Sequence, residues 1–327
     1  MDMIKFLSIE EKIIRILKEI KEISHGEKIV VAFSGGLDST VVSKLVISAL
    51  GNEKIEAISV NFGDYSYLRG LKNIQIISND LGLNVKMIPG KKIQEKVLRK
   101  GPACNQCTRV AKLGLVKKEA GDRLVLTGSN QSDTWGKMGV KLCGGFYAPL
   151  MNMSKEEIKG IARHFSLNIL KIGENEFREG CKLKHLLKPL ANPDYHGQAA
   201  AEANEILLEI LKKEKFNQVL ANVKIIGPLS KNIGLVNISP MPGVKLKNRI
   251  VKELKKIKTL EKFEILEKPV KLIIKANKGQ FDNQHSRYWL EKGRLQPDFT
   301  VPITLEWLLT TNKNLATFQV VDYQIIG

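Results

Sequence analysis

Lys28–Phe33 (KIVVAF) is a short run of β-branched and apolar residues that stops at Ser34-Gly35-Gly36 and passes directly into a helical pattern from Asp38 to Leu50. A continuous apolar run of this length suits a strand buried on both faces, the condition of a parallel sheet with helices on each side. The pattern then repeats. Ile55–Phe62 is a second apolar run, followed by a helical stretch to about Leu81, a short strand Asn84–Ile88 and a helix from Lys91. Arg123–Thr127 leads into another glycine-containing loop, and Ser154 with Glu157 makes a capping box that opens a helix through Phe165. Strands alternating with helices in this order build βαβ units. The predicted fold class is therefore α/β, with a doubly wound, mostly parallel, Rossmann-like sheet.

Beyond about Lys182 the alternation lapses. Ala199–Lys213 reads as a helix, and short β-like runs (VKLIIKA, TFQVVDYQII) follow Lys268. The predicted boundary lies near residue 185, dividing a domain at 1–185, which includes the N-terminal helix, from a smaller α+β substrate-binding domain at 186–327. At 327 residues and 43% hydrophobic, the chain can bury one large core or two. It contains no run of about 18 apolar residues, and its start, MDMIKFLSIEEKIIRILKEIKEI, alternates charge with Ile and Leu as an amphipathic helix does. Neither a signal peptide nor a membrane span is expected, which makes the cytoplasm the default location and a membrane partner unexpected.

The segment SGGLDST, Ser34 to Thr40, sets two glycines and three hydroxyl residues between a buried strand and a helix. Gly35 and Gly36 let the backbone approach an anion, N–H groups at the helix start point at it, and Ser34, Ser39 and Thr40 can donate hydrogen bonds. The lysine of the Walker pattern is missing, which argues against cleavage at the γ-phosphate in the usual P-loop manner. SGGLDS resembles the SGGxDS signature of the PP-loop ATP pyrophosphatases, which cut ATP between its α and β phosphates. That resemblance implies that Ser34, Gly35, Gly36, Ser39 and Thr40 hold pyrophosphate and that Asp38 places Mg²⁺. It also implies that Ala32, Phe33 and Asn61, at the ends of the first two strands, receive the adenosine. The loop TGSNQSD is similar to the TGHNxDD loop of the tRNA-thiolating members at Gly128, Asn130 and Asp133, and departs from it at Ser129 and Ser132. Asp133 is then a second carboxylate beside Asp38, for Mg²⁺ or for general base catalysis. Read without the resemblance, Asp38 stabilises a helix N-terminus and Asp133 is a surface acid.

Four cysteines in a chain expected in a reducing compartment point to metal or redox chemistry before disulfides. Cys104 and Cys107 form a C-x-x-C between a Gly-Pro turn and a helix start, Cys143 precedes Gly144-Gly145, and Cys181 lies far along the chain. A helix N-terminus and Arg109 favour the thiolate, and two such sulfurs can converge on one metal or cluster. These positions resemble the sulfur-transferring branch of the PP-loop superfamily, in which a C-x-x-C and one distant cysteine meet beside ATP. One subgroup holds an iron–sulfur cluster with an open iron; another forms a persulfide and a disulfide. The resemblance, which extends to about residue 190, implies a 4Fe-4S cluster on Cys104, Cys107 and Cys181 whose open iron carries the sulfide that displaces AMP. A structural zinc site with Cys143 as fourth ligand is the alternative.

Lys and Arg number 52 against 34 Asp and Glu, a formal charge of +18 that attracts polyanions and fits a nucleic-acid partner. A Lys- and Ile-rich composition produces the same excess without such a ligand. Lys245–Lys262 reads as a solvated helix face. Lys137 and Lys141 can steady phosphates, Tyr288 and Trp289 beside His285 and Arg287 can stack a base, and His185 and His196 read as ordinary. The leading expectation is an ATP-dependent sulfurtransferase acting on a tRNA nucleotide, using ATP, Mg²⁺ and sulfide or another sulfur donor, with a homodimer allowed. Sulfur insertion into a small-molecule cofactor, an NAD-synthetase-like amidating ligase and a nucleotide sensor with a zinc-stapled tail are the alternatives.

Overall fold

The structure is a computed structural model that describes residues 8–132, 141–176 and 178–327. The chain forms two compact units, each discontinuous in sequence. The first comprises Met1–Asn61, Leu68–Gly90 and Arg109–Leu170; the second comprises Phe62–Tyr67, Lys91–Thr108 and Lys171–Gly327.

The first unit is built on β1 (Ile29–Ala32), β2 (Ile55–Asn61), β3 (Val85–Pro89), β4 (Val125–Leu126), β5 (Leu142–Cys143) and β6 (Phe146–Tyr147), in the order β3-β2-β1-β4-β6-β5. Every neighbouring pair is parallel except β5, which runs antiparallel to β6. The doubly wound, mostly parallel sheet expected from the sequence is present. Ile29 and Val31 of β1 join a core with Val42 and Leu45 of α2 (Leu37–Leu50), Ile16 and Ile20 of α1 (Ile9–Ser24), and Ile158 of the helix Lys155–His164. Val30, on the other face, packs with Ile58 of β2 and with Val116 and Ala120 of the helix Gly114–Ala120. Burial on both faces is why KIVVAF shows no polar alternation, and each such side chain contributes roughly 1.5–3 kcal/mol. Ser8 and Ser154 cap α1 and Lys155–His164 through reciprocal bonds with Glu11 and Glu157.

Topology positions the loops. From β1 the chain moves outward to β2 and β3, then returns to β4 on the other side of β1. The connections leaving the C-terminal ends of β1 and β4 therefore diverge, and sheets of this kind bind ligands in the crevice so formed.

The second unit holds two three-stranded sheets. One, ordered β7-β8-β9, comprises β7 (Leu220–Ile226), β8 (Ile233–Ser239) and β9 (Lys262–Ile265); the other, ordered β11-β10-β12, comprises β10 (Val270–Ala276), β11 (Ile303–Leu309) and β12 (Phe318–Ile325). Leu187, Leu235, Leu272, Ile274 and Phe318 belong to one core between these elements. The antiparallel pair β7–β8 has no counterpart in the sequence reading, because the buried Asn222, Lys224 and Asn237 interrupt the apolar runs that would announce strands covered on both faces. Of the basic stretch, only the first part is helical, as Val244–Leu254, whose Lys247 and Arg249 pair with Glu267 and Glu214; Lys262 begins β9. Among the described residues no helix is long and apolar enough to cross a membrane.

Candidate active site

Gly35 turns the chain between β1 and α2 at φ +68°, and a Cβ there would lie 3.0–3.2 Å from Cγ1, N and Cα of Ile74 in α3 (Leu68–Leu81). A side chain at this position meets both a left-handed backbone and another helix's main chain. Gly36 differs. Its φ is −90°, and its Cβ would make only an ordinary 3.4 Å contact with Ser34 Oγ, so its use is elsewhere. As the N-cap of α2 it offers no side chain to cap the helix, which leaves the first N–H groups of α2 facing the loop. The loop hydroxyls satisfy one another: Ser34 N–H donates to Ser39 Oγ at 3.2 Å, the two Oγ atoms lie 3.0 Å apart, and Ser39 Oγ donates to Gly36 O at 3.1 Å. Thr40 is fully buried and donates to Gly36 O at 2.8 Å, so its hydroxyl braces the turn.

Asp38 is the charged centre of this loop. Its Oδ2 accepts from Lys155 Nζ at 2.5 Å, while Oδ1 is buried and has no hydrogen-bond partner among the described residues. A buried carboxylate oxygen without a donor is costly. A cation fits it. Gly128, in the loop after β4, packs directly on this residue: a Cβ there would stand 2.7 Å from Asp38 Cβ and 3.0 Å from Ser39 N. The fully buried Asn130 shapes that loop by donating to Gly128 O at 3.1 Å and accepting from Ser132 N–H at 3.1 Å. Two predicted loops thus meet at the start of α2, on either side of the point where strand order reverses. Ala32 ends β1 and Asn61 ends β2, but Phe33 sends its ring into the core at 2% exposure, leaving its main chain at the loop. Asp133 and Lys137 lie outside the described residues. Lys141, a proposed phosphate contact, is engaged by Glu19.

The cysteines divide between the units. Cys143 is exposed on β5, whereas Cys104, Cys107 and Cys181 belong to the second unit. Gln94 Nε2 lies 3.6 Å from Cys107 Sγ and 3.3 Å from Cys181 Sγ, and Arg294 donates to Cys104 Sγ at 3.2 Å. The expected 4Fe-4S and zinc sites are not borne out: among the described residues no three His, Cys, Asp or Glu side chains form a metal-holding group. The Gln94 amide donates to two of the sulfurs, and the Arg294 guanidinium, which repels metal cations, donates to the third.

His185 is not ordinary. It lies at the centre of a buried network in the second unit, with Nε2 2.5 Å from Glu174 Oε2 and Nδ1 2.9 Å from Lys224 Nζ. Lys224 also donates to Asp298 Oδ2 at 2.8 Å, Tyr67 to Glu174 Oε2 at 2.9 Å, and Lys184 to Glu174 Oε1 at 3.3 Å. Burial alone would raise the Glu174 carboxyl, but the charge of Lys184 and the contacts of His185 and Tyr67 hold it down at about 2. Burial pushes the His185 imidazole down to about 4, helped by the Lys224 charge. These residues are scattered from 67 to 298, and no spacing in the sequence connects them. His196 is a structural residue that accepts from Asn192 N–H and contacts Leu229 O at 2.9 Å.

A family model described as NAD synthase matches residues 9–169. The chain is 30% identical over 168 residues to the NH(3)-dependent NAD(+) synthetase of Pyrococcus furiosus, covering 48% of this chain and 63% of that protein. It is 28% identical over 167 residues to the protein of the same name from Thermococcus sibiricus, covering 46% and 63%. The chain thus spans less than two thirds of the length of these relatives. Their likeness corrects the expectation drawn from the cysteines, and the tRNA and sulfur donor implied by the sulfur-transferring branch lose their support with it. Across residues 9–169 this chain is similar to the NAD synthase family, within the PP-loop ATP pyrophosphatase superfamily.

Proposed function

We propose that the chain is an AMP-forming enzyme that binds ATP in the crevice between β1 and β4, adenylates a carboxylate and passes it to ammonia, as an amidating ligase does. One observation carries this reading. Gly35, the open start of α2, the Asp38 Oδ1 that has no partner among the described residues and the close-packed Gly128 converge at the strand-order reversal. Such a site offers main-chain donors to phosphate and one carboxylate oxygen to a cation. The names of the relatives point to the carboxylate precursor of NAD as the acceptor.

The acceptor oxygen attacks the α-phosphorus of ATP, the bond to the bridging oxygen breaks, and pyrophosphate remains in the loop. Ammonia then attacks the acyl carbon and AMP leaves with the acceptor's oxygen. The residues of the loop act on the leaving group: Ser34 and Ser39 turn their hydroxyls from each other toward pyrophosphate, while the N–H groups of Gly36 and the first turn of α2 face its charge. Asp38 is the described carboxylate that would hold Mg²⁺, which supplies charge neutralisation on the phosphates when bound. Lys155 holds Asp38 in position through Oδ2.

Incubation with ATP, Mg²⁺, the acid precursor of NAD and ammonium should yield AMP, pyrophosphate and NAD, and Asp38→Asn should abolish all three products. Release of ADP and phosphate would overturn the proposal. AMP formation that does not depend on ammonium would overturn it as well.

A further inference from the structure

Lys155 stands where a helix ordinarily places an acid. It is the first residue of Lys155–His164, directly after the N-cap Ser154, and its positive charge opposes the helix dipole that Glu156 and Glu157 of the same turn complement. This end of the helix is anchored without it. Ser154 N–H donates to Glu157 Oε2 at 2.7 Å, and Glu157 also pairs with Lys12 of α1. From that fixed start Lys155 reaches the first turn of α2, where its Nζ donates to Asp38 Oδ2 at 2.5 Å. Helix stability does not account for a lysine here; Asp38 does.

Asp38 is not spent on its own helix either. The N-cap of α2 has no side-chain cap, and the one bond that the Asp38 carboxylate makes among the described residues is to Lys155. Its two oxygens therefore differ: Oδ1 is buried and meets no donor, while Oδ2 carries an ammonium. The two charges cancel. A lone carboxylate attracts a free divalent ion, but a carboxylate already paired with an ammonium offers it no net charge, and a single buried oxygen is a poor return for shedding water. An ion bound to a triphosphate brings oxygen ligands and negative charge of its own.

We propose that Lys155 sets the selectivity of the Asp38 cation site, closing it to a free divalent ion and admitting one only as its complex with a nucleoside triphosphate. By holding Oδ2, Lys155 leaves the ion one carboxylate oxygen; by cancelling the carboxylate's charge, it makes the phosphates necessary for binding. The same balance lets the ion depart with pyrophosphate after the α–β bond is cut. This inference rests on the ATP site proposed above and adds a residue that decides what enters it.

The test needs no turnover. Mn²⁺, a paramagnetic stand-in for Mg²⁺, speeds water-proton relaxation further when a protein immobilises it, so the full chain is titrated with Mn²⁺ alone and with Mn²⁺ plus the α,β-methylene analogue of ATP, which cannot be cut at that bond. Wild type should bind the complex and bind free Mn²⁺ far more weakly. Lys155→Met removes the charge and should tighten free Mn²⁺ binding roughly tenfold; Lys155→Gln is read in parallel, with melting curves to show that both variants are folded. Lys155→Arg should restore the wild-type pattern, and adding Asp38→Asn to Lys155→Met should erase the gain. A lysine that only braced the fold would, when removed, weaken both kinds of binding together. Free Mn²⁺ binding that is unchanged or weaker in the folded neutral variants, with the complex still bound by wild type, would overturn this inference and leave the ATP site standing. Wild type that binds neither form would overturn both.

Discussion

Acid should loosen the second unit before it reaches the range where carboxylates usually protonate, and His185 is the reason. Lys224 Nζ can only donate, so its 2.9 Å contact with Nδ1 assigns the imidazole a neutral form with its proton on Nε2, donated to Glu174. Protonation would set a second N–H against the Lys224 ammonium. Burial with that neighbouring charge therefore lowers the imidazole from its ordinary 6.5 to about 4. Between those two pH values the unfolded chain binds a proton that the folded chain refuses, so stability falls as pH falls through the window, by roughly 3 kcal/mol in full. Glu174 adds a later loss: its folded value of about 2 lies below 4.5, so its contribution is complete above pH 4.5 and disappears as pH drops toward 2. In His185→Gln the side chain can still donate to Glu174 and accept from Lys224, but it cannot titrate. Hydrogen exchange of the β7 amides between pH 6.5 and 4.5, with exchange rates corrected for pH, reads the local stability. Wild-type protection should fall across that range and the variant's should stay nearly level. A flat wild-type profile, or an equally steep one in His185→Gln, would refute the assignment of the buried neutral imidazole.

Two further substitutions test the first unit. Gly128→Ala forces a methyl to within 2.7 Å of Asp38 Cβ; displacing the start of α2 should cost about 1–3 kcal/mol in unfolding free energy and roughly a hundredfold in AMP formation, and an unchanged rate would show that the two loops need not touch. Ser154→Ala removes one half of the capping box with Glu157 and should cost about 1 kcal/mol, seen as a lower Tm, with AMP formation retained; an unchanged Tm would remove the cap from the account of this helix.

The local parts of the candidate site were legible because local chemistry builds them. A buried strand, a glycine with positive φ, hydroxyls and a helix start follow one another within a dozen residues, and the capping box at Ser154 and Glu157 needs only a four-residue pattern. The long apolar runs announced the parallel sheet for the same reason. Even there, the distinct uses of the two glycines were not legible: Gly35 is demanded by Ile74 in α3, whereas Gly36 leaves a helix start open.

The cysteines show where spacing misleads. Cys104, Cys107 and Cys181 do belong to one compact unit, but a metal site depends on what the sulfurs meet, and they meet Gln94 on the helix Lys91–Leu98 and Arg294 in Trp289–Leu295. His185 shows the opposite error. Alone in the sequence it had no partner at any recognisable interval, because Glu174 and Lys224 reach it, and Asp298 reaches Lys224, from separate turns and strands. The sequence by itself determined the alternation of strands and helices in the first unit, the glycine and hydroxyl loop after β1 and the capping of two of its helices, since neighbouring residues set those through backbone geometry and burial period. Only the tertiary structure decided which charges share a buried network, which side of Gln284–Leu295 faces water, and which donors meet the thiols, because packing brings together residues that no local pattern relates.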